Sequence, residues 1–333
     1  MCIQRRISPV AWLVPVAAPS GFVLAQPVPN YGFEWRTVGA AGNRDTNPDE
    51  VWLNPGLRIG AVGYEYRLTR TEVTTAQYFE FLTAYAPYVT ESPYSTEVRG
   101  PWIIYTASDG FQMYPGAENY PTEMGWRMAA RMCNWLHNGK SGEAWAFTTG
   151  AYDTSTFTAN PDGTFNDGDR LPGAQFWIPT QDEWTKAMYY DPNRHGAGVD
   201  GYWEYPNRSN DPLVAGLPGS GAQTSAGHGI GVAQFPVGSY PDTFSPWGFM
   251  DASGGVREWL GDWMPPEFPG HGRGVRGSMT GGFGPDQDWL PLTDPSNPRG
   301  ASAGLRIASV VPAPSIVLCF AVSALGFARR RQP

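Results

Sequence analysis

The chain has 333 residues, a net charge of −8 at neutral pH and 16% charged residues. Its length allows one large core or two small ones, and 41% hydrophobic residues argue against disorder despite 41 glycines and 32 prolines. The acidic balance offers no basic face for phosphates, which argues against nucleic acid as a partner. The composition therefore predicts a loop-rich globular domain whose weakly charged surface suits polar, uncharged ligands.

The N terminus has the pattern of an export signal. Two arginines precede an apolar run over residues 10–24, which ends in a small-residue cleavage pattern. We therefore predict a signal peptide over residues 1–25. Residues 26–60 are rich in Pro, Gly, Asn and Asp without a clear period, which favours an extended lead-in or an early edge strand.

A strand and a helix are predicted next. Apolar and polar residues alternate over residues 62–68, with Tyr64 among the inward positions, which predicts a half-buried strand. Thr74 followed by Gln77 three residues later is a capping-box pattern and predicts the start of a helix. Pro87 predicts its end. Its expected buried residues are Tyr78, Phe81, Leu82 and Tyr85.

Two further helices follow from the same signals. Apolar spacing predicts a helix over residues 123–137, with Cys133 as a small residue of its buried face. Thr180 with Glu183 predicts the capping box of a third, shorter helix. Later strand signals are weaker and favour residues 235–238 and 273–279.

The stretch Asp251–Trp263 combines two adjacent glycines with three carboxylates and two tryptophans. Gly254 and Gly255 reach positive φ without a Cβ clash, so the backbone can turn sharply and direct carbonyls inward. Oxygens crowded around such a turn suit calcium. The alternative is a turn whose tryptophans lie in the core while its carboxylates face water.

Several motifs recur in the order found in the formylglycine-generating enzyme family, also called sulfatase-modifying factors. They are Arg70–Tyr78, Trp126–Gly139, Ile178–Trp184, Ser245–Trp263, Val275–Ser278 and Gly304–Ala308. The resemblance spans about residues 62–309 and implies a domain over residues 61–309. It also implies an α+β, C-type-lectin-like fold that is rich in loops and has few short helices.

The resemblance implies a structural calcium site at the glycine turn. The positions that match the family's calcium region are Gly254, Gly255, Val256 and Glu258. Gly255 replaces an asparagine that would supply a ligand oxygen, and Arg257 replaces a tryptophan. Because calcium accepts water in place of one lost ligand, we predict that calcium binding is retained.

The family's reaction converts a sulfatase cysteine to formylglycine and uses copper(I) held by two cysteines late in the domain. The matching stretch from Arg276 to Arg306 contains no cysteine. Soft thiolates are the ligands that copper(I) requires, so we predict no copper and no catalytic residues of this type. The four histidines are far apart in sequence, which also disfavours the iron site of the related sulfoxide synthases.

The C terminus over residues 310–333 resembles a PEP-CTERM sorting signal. A proline-containing turn leads into an apolar run over residues 316–328, and three arginines follow. The resemblance implies processing by an exosortase and release or transfer outside a Gram-negative cell, although Ala313 replaces the motif's glutamate. A simple membrane anchor is the alternative. Removal of both ends would leave Cys133 as the mature chain's only cysteine and exclude an internal disulfide.

We therefore predict an exported, non-catalytic surface or matrix binding protein. Its expected partners are an envelope protein or an extracellular polysaccharide. Aromatic side chains in residues 88–120 and 280–290 are candidates for contacts with sugar or protein, with core packing as the alternative. Two other functions stay open: an oxidoreductase of the formylglycine-generating type or with an unrecognised metal site, and a matrix protein without a ligand.

Overall fold

The structure is a computed structural model that describes residues 28–312 apart from 52–53, 159–164, 229–234, 265–271, 283, 291 and 299–302. Residues 28–312 form one compact unit. The predicted signal peptide and sorting segment lie outside the described residues. In the part of the chain that is described, no helix has the length and apolar character needed to cross a membrane.

The regular elements are short and are separated by long loops. In chain order they are β1 (Trp35–Val38), β2 (Tyr66–Thr69), α1 (Thr75–Tyr85), α2 (Thr96–Arg99), β3 (Ile103–Thr106), β4 (Gly110–Met113), α3 (Trp126–His137), β5 (Phe176–Trp177), α4 (Gln181–Tyr189), β6 (Tyr190–Asp191), β7 (Gly201–Tyr202), β8 (Glu258–Trp263), β9 (Arg273–Arg276), β10 (Asp294–Ser296) and β11 (Ala308–Val310). Short 3₁₀ turns occupy residues 86–88, 144–147, 154–156 and 285–288.

The early and late strands of the unit share one antiparallel sheet, in the order β1-β2-β11-β5. β1 lies at its edge, which confirms the early edge strand as the correct alternative for the lead-in. All four residues of β2 are buried, Arg67 included, because the strand lies between two neighbours. The predicted alternation over residues 62–68 is therefore wrong, and Tyr64 lies outside the strand with 42% of its surface exposed.

The capping boxes place α1 and α4 as predicted. The Thr74 hydroxyl accepts a hydrogen bond from the Gln77 amide, and the Gln77 side chain accepts one from the Thr74 amide. Thr180 and Glu183 form the same reciprocal pair at α4. α1 ends at Tyr85, before the proline, and its predicted stripe is buried.

α3 begins later than predicted because Gly125 is its N-cap. Its buried face includes Cys133, which is 0% exposed as predicted. The late half of the chain forms a three-stranded antiparallel sheet in the order β10-β9-β8. β9 confirms the beginning of the strand predicted over residues 273–279, whereas residues 235–238 form no strand but enter a turn. The amide of Gly238 donates instead to the Asp251 carboxylate.

Candidate functional site

The glutamate of the glycine-turn motif lies in the core. Glu258 begins β8, is 1% exposed and forms an ion pair with Arg306, which is 0% exposed. Arg306 Nη2 lies 2.7 Å from Glu258 Oε1, and the indole Nε1 of Trp184 donates to Oε2 at 2.6 Å. The guanidinium also donates to three backbone carbonyls, those of Thr69, Arg70 and Met250. Both carboxylate oxygens are therefore satisfied within the protein.

The two glycines adopt the backbone that the sequence predicts. Gly254 has φ +82° and Gly255 has φ +60°. A Cβ atom at Gly255 would overlap the carboxylate of Glu72, so only glycine fits there. The amide of Val256 donates to Glu72 Oε1 at 3.4 Å. Burial, with the charges of Asp251 and Glu258 nearby, holds the pKa of Glu72 well above its usual value.

Hydroxyl groups surround a buried aspartate beside this turn. The Ser278 hydroxyl donates to Asp288 Oδ2 at 2.7 Å, and the Ser278 amide donates to Oδ1 at 2.6 Å. Ser253 donates to Oδ2 as well, at 2.5 Å. Burial raises the pKa of Asp288 to about 7, against the lowering effect of these hydrogen bonds. The cluster presents hard oxygen atoms only.

An open groove lies at the N-terminal end of α4, beside its N-cap Thr180. It consists of two adjoining cavities, of about 300 Å³ and about 530 Å³, which share Arg170 and Trp177 as lining residues. We call it the Arg170 groove. Its remaining walls carry charged and aromatic side chains, including Asp169, Asp262 and Trp263 in the first cavity and Tyr64 and Glu65 in the second. Volumes of this size are typical of ligand-binding pockets.

The Glu183 carboxylate contacts three side chains that line the Arg170 groove. Its Oε1 accepts from the Tyr64 hydroxyl at 2.5 Å and lies 3.3 Å from Arg170 Nη1. Its Oε2 accepts from Trp177 Nε1 at 2.9 Å and from the Thr180 amide at 2.8 Å. Burial, together with the Glu183 charge, raises the pKa of Tyr64 to about 12, so its hydroxyl stays a donor.

The first cavity ends at Asp262 and Trp263. Asp262 accepts a hydrogen bond from the Gln181 amide. Burial raises its pKa to about 6, and the charges of Asp182 and Glu183 act in the same direction. The Trp263 ring packs against the Arg273 guanidinium at 4.3 Å and also borders the cavity. A half-buried carboxylate and an indole ring thus face the same space.

Comparison with protein-family models finds one match over residues 40–286, described as the sulfatase-modifying factor enzyme 1-like domain. The match covers well over half of the chain. This chain belongs to the sulfatase-modifying factor family. The observed α and β content, with few short helices and small sheets, confirms the fold class expected for that family.

Two solved structures are similar to this member of the sulfatase-modifying factor family. One is described as CarF, with 20% identity over 84% of this chain and 99% of the other, and a TM-score of 0.47. The second is PvdO from Pseudomonas aeruginosa, with 15% identity over 86% of this chain and 100% of the other, and a TM-score of 0.49. A search of curated proteins finds no significant match.

The family's copper chemistry does not fit the residues present. No cysteine lies between Arg276 and Arg306, where the copper pair is expected. Within this stretch Ser278 and Asp288 form a hydroxyl–carboxylate cluster, which Ser253 joins. Copper(I) prefers soft sulfur ligands, whereas these oxygens are hard. The free thiol that the structure describes, Cys133, is buried in α3, and burial raises its pKa.

The predicted calcium ligands lie together, but Glu258 does not fit the role assigned to it. Gly254, Gly255 and Val256 form the turn that leads into β8 at Glu258. Arg306 already neutralises this carboxylate, and its positive charge lies within hydrogen-bond distance of it. Among the described residues no group of three or more His, Cys, Asp or Glu side chains is placed to hold a metal ion. Calcium at this turn stays a prediction.

No pattern in the sequence predicts the Arg170 groove. The alternation over residues 62–68 places Tyr64 on a buried strand face, and no motif marks Arg170. The available signal is Glu183, which the sequence identifies as a helix-capping residue. The aromatic segment 88–120 is partly packing, since Tyr94 and Tyr105 meet edge to face at 5.2 Å, although Tyr94 remains 60% exposed.

Proposed function

We propose that this chain is an exported member of the sulfatase-modifying factor family that binds a ligand and does not perform copper-dependent formylglycine formation. The observation that carries this proposal is the donor set of the late domain. The stretch from Arg276 to Arg306, where the resemblance implies the copper-binding cysteines, contains no cysteine, and its Ser278 and Asp288 offer oxygen atoms instead. Cys133 offers no substitute, because it is buried and its pKa is raised.

The binding part of the proposal is supported by the Arg170 groove. It is an open space of ligand size, and its walls are fixed by a glutamate that is 0% exposed. Binding surfaces work best when rigid elements hold their side chains, because little conformational entropy is then lost on binding. An envelope protein or an extracellular polysaccharide is the proposed class of partner.

Whether the chain forms formylglycine is tested by measuring bound copper and the reaction product. The purified full-length chain is incubated with copper(I), dialysed and analysed for bound metal. It is then incubated with a cysteine-containing sulfatase peptide, oxygen and a thiol reductant, which supplies the two electrons that reduction of O2 to water needs beyond those from the cysteine. We expect neither stoichiometric copper nor formylglycine by mass spectrometry, whereas a family member with the late cysteine pair gives both. Formylglycine formed by this chain would overturn the proposal.

Export and sorting are proposed from the two terminal sequence patterns. The chain, tagged between the predicted signal peptide and the domain, is expressed in a Gram-negative host with an exosortase and in the same host without one. We expect the protein outside the cytoplasm, and its C-terminal segment removed only in the first host. Retention in the cytoplasm would contradict export. Export with an intact C terminus in both hosts would indicate that Ala313 prevents processing.

A further inference from the structure

We infer that the Arg170 groove is a binding site for a neutral oligosaccharide chain, with the rings of Tyr64 and Trp263 as stacking surfaces in its two cavities. This inference rests on the proposed binding role and names its ligand class. It follows from three properties of the groove: the charges on its walls, the ring faces that are already covered and those that border open space.

The wall charges disfavour an anionic ligand. Glu65, Asp169 and Asp262 all border the groove. The cation among its lining residues, Arg170, is already paired with Glu183 at 3.3 Å. Asp169 is paired with Arg273 at 3.0 Å, whereas Glu65 and Asp262 form no ion pair among the described residues. A polyanion would therefore meet two carboxylates without a paired cation, and like charges in a partly buried site repel strongly.

A cationic ligand is disfavoured where the two cavities join. The Arg170 guanidinium lies 4.4 Å from the centre of the Trp177 ring, which is the position that a lysine or arginine of a basic peptide would take. A second cation there would meet Arg170 at close range. The shared centre of the groove thus rejects positive charge, while its walls reject negative charge.

A neutral polyol satisfies both conditions. Carboxylates and a guanidinium in one groove accept from and donate to hydroxyl groups without needing a net charge on the ligand. Tyr64 is 42% exposed, and Trp263 borders the first cavity while Arg273 packs against its ring. Such rings offer apolar surface to the C–H faces of sugar rings, at low entropy cost because they have few rotatable bonds.

The length of the groove favours a chain over a single sugar. Its two cavities of about 300 Å³ and about 530 Å³ adjoin through Arg170 and Trp177, and Trp263 borders the first while Tyr64 borders the second. Two stacking surfaces separated by a polar centre match successive residues of an oligosaccharide. A single sugar would use one cavity only.

The test measures binding of neutral hexasaccharides to the purified full-length chain by isothermal titration calorimetry. The probes are cellohexaose, mannohexaose and maltohexaose, with hexagalacturonate and hexalysine as the anionic and cationic comparisons. We expect saturable binding of at least one neutral probe and at least tenfold weaker binding of both charged ones. Tyr64→Ala and Trp263→Ala should each weaken the neutral probe tenfold or more.

Two control variants separate stacking from other causes. Tyr64→Phe keeps the ring and loses the hydrogen bond to Glu183, so it should change affinity less than threefold. Trp145→Ala removes an indole that is 54% exposed and does not line the groove, and it should leave affinity unchanged. If Trp263→Ala does not fold, the contrast between Tyr64→Ala and Tyr64→Phe decides.

Three results would overturn the inference: no saturable binding of any neutral probe, binding that Tyr64→Ala leaves intact, or tighter binding of hexalysine or hexagalacturonate. None of these results would imply that the chain binds copper or forms formylglycine. Conversely, formylglycine formation would overturn the proposed function without altering the titrations. The two failures are therefore distinguishable.

Discussion

Two buried glutamates in this domain hold the same kinds of partner. Glu258 binds the indole N–H of Trp184 and the guanidinium of Arg306, and Glu183 binds the indole N–H of Trp177 and the guanidinium of Arg170. They differ in the arginine, because the Arg306 side chain is 0% exposed and that of Arg170 is 34% exposed.

That difference in exposure separates a structural role from a binding role. Arg306 donates its remaining hydrogen bonds to three backbone carbonyls and is fully buried in the core. Arg170 lies over Trp177 and borders two cavities. The same carboxylate–indole–guanidinium chemistry therefore seals one region and lines an opening in the other. Four measurements test whether the two centres differ in this way.

The largest effect is expected at the sealed centre. Arg306→Met leaves the Glu258 charge buried without its counter-ion, which costs about 3–5 kcal/mol. Urea unfolding measures this loss. The matched control is Arg36→Met, whose partner Glu34 is on the surface, and it should cost at most about 1 kcal/mol. Equal losses in the two variants would contradict a structural role for the buried pair.

The next effect is a pH dependence that originates in the groove. The folded-state pKa of Asp262 is about 6, above the unfolded value of about 3.9, so folding takes up a proton between these values. Stability from this group is fully present below about pH 4 and is lost as the pH rises through 6.

Asp262→Asn removes that proton uptake. The variant should therefore gain on the order of 2 kcal/mol relative to the unmodified chain as the pH rises from 4 to 7. Urea unfolding at several pH values measures the difference between the two chains, which cancels contributions from the other carboxylates. A constant difference across this range would show that Asp262 is not the group responsible.

A smaller effect tests whether the cap of α4 is separable from the groove. Thr180→Ala removes one half of the capping box and should cost about 1 kcal/mol in thermal or urea unfolding. Thr74→Ala makes the same change at α1, away from the groove, and should cost a similar amount. Thr180 also lines the first cavity, but its hydroxyl already accepts from the Glu183 amide, so binding of a neutral hexasaccharide should survive in both variants. Its loss in Thr180→Ala alone would show that groove and cap cannot be separated.

The smallest expected effect is that of calcium. The sequence predicts calcium at the glycine turn, but the ion pair of Glu258 with Arg306 weighs against it and favours a melting temperature that calcium or a chelator leaves unchanged. A native-state ion at 100 times its dissociation constant would contribute about 2.7 kcal/mol, which is easily seen. A melting temperature that falls with chelator and recovers with calcium would restore the predicted site at Gly254, Gly255, Val256 and Glu258.

Local signals in the sequence predicted local structure well. Thr180 and Glu183 are three residues apart, and so are Thr74 and Gln77, so each capping box can be recognised without knowledge of the fold. The glycine turn was predictable for the same reason. The strand predicted over residues 62–68 is shorter, Tyr66–Thr69, and does not alternate, because its burial depends on β11, which joins it from the far end of the chain.

The groove could not be predicted because its contacts join distant parts of the chain. Tyr64 and Glu183 are 119 residues apart. The core pair of Arg306 and Glu258, which are 48 residues apart, is hidden in the sequence for the same reason. A charged residue far from its partner in sequence has the same appearance as a solvated surface residue. Arg67 shows this as well, since it is buried and stacks on Trp35 at 4.3 Å.

One peptide bond joins the two centres, because Glu183 and Trp184 are consecutive in α4. Glu183 belongs to the groove, whereas Trp184 donates to Glu258 in the core. This adjacency sets which substitutions a lineage can accumulate. Substitutions at position 183 would be depleted in any mutational scan that selects for folded protein, with or without a ligand. Substitutions of Tyr64 would be depleted only when the scan selects for ligand binding. The groove is thus free to acquire new specificities around a residue that cannot itself change.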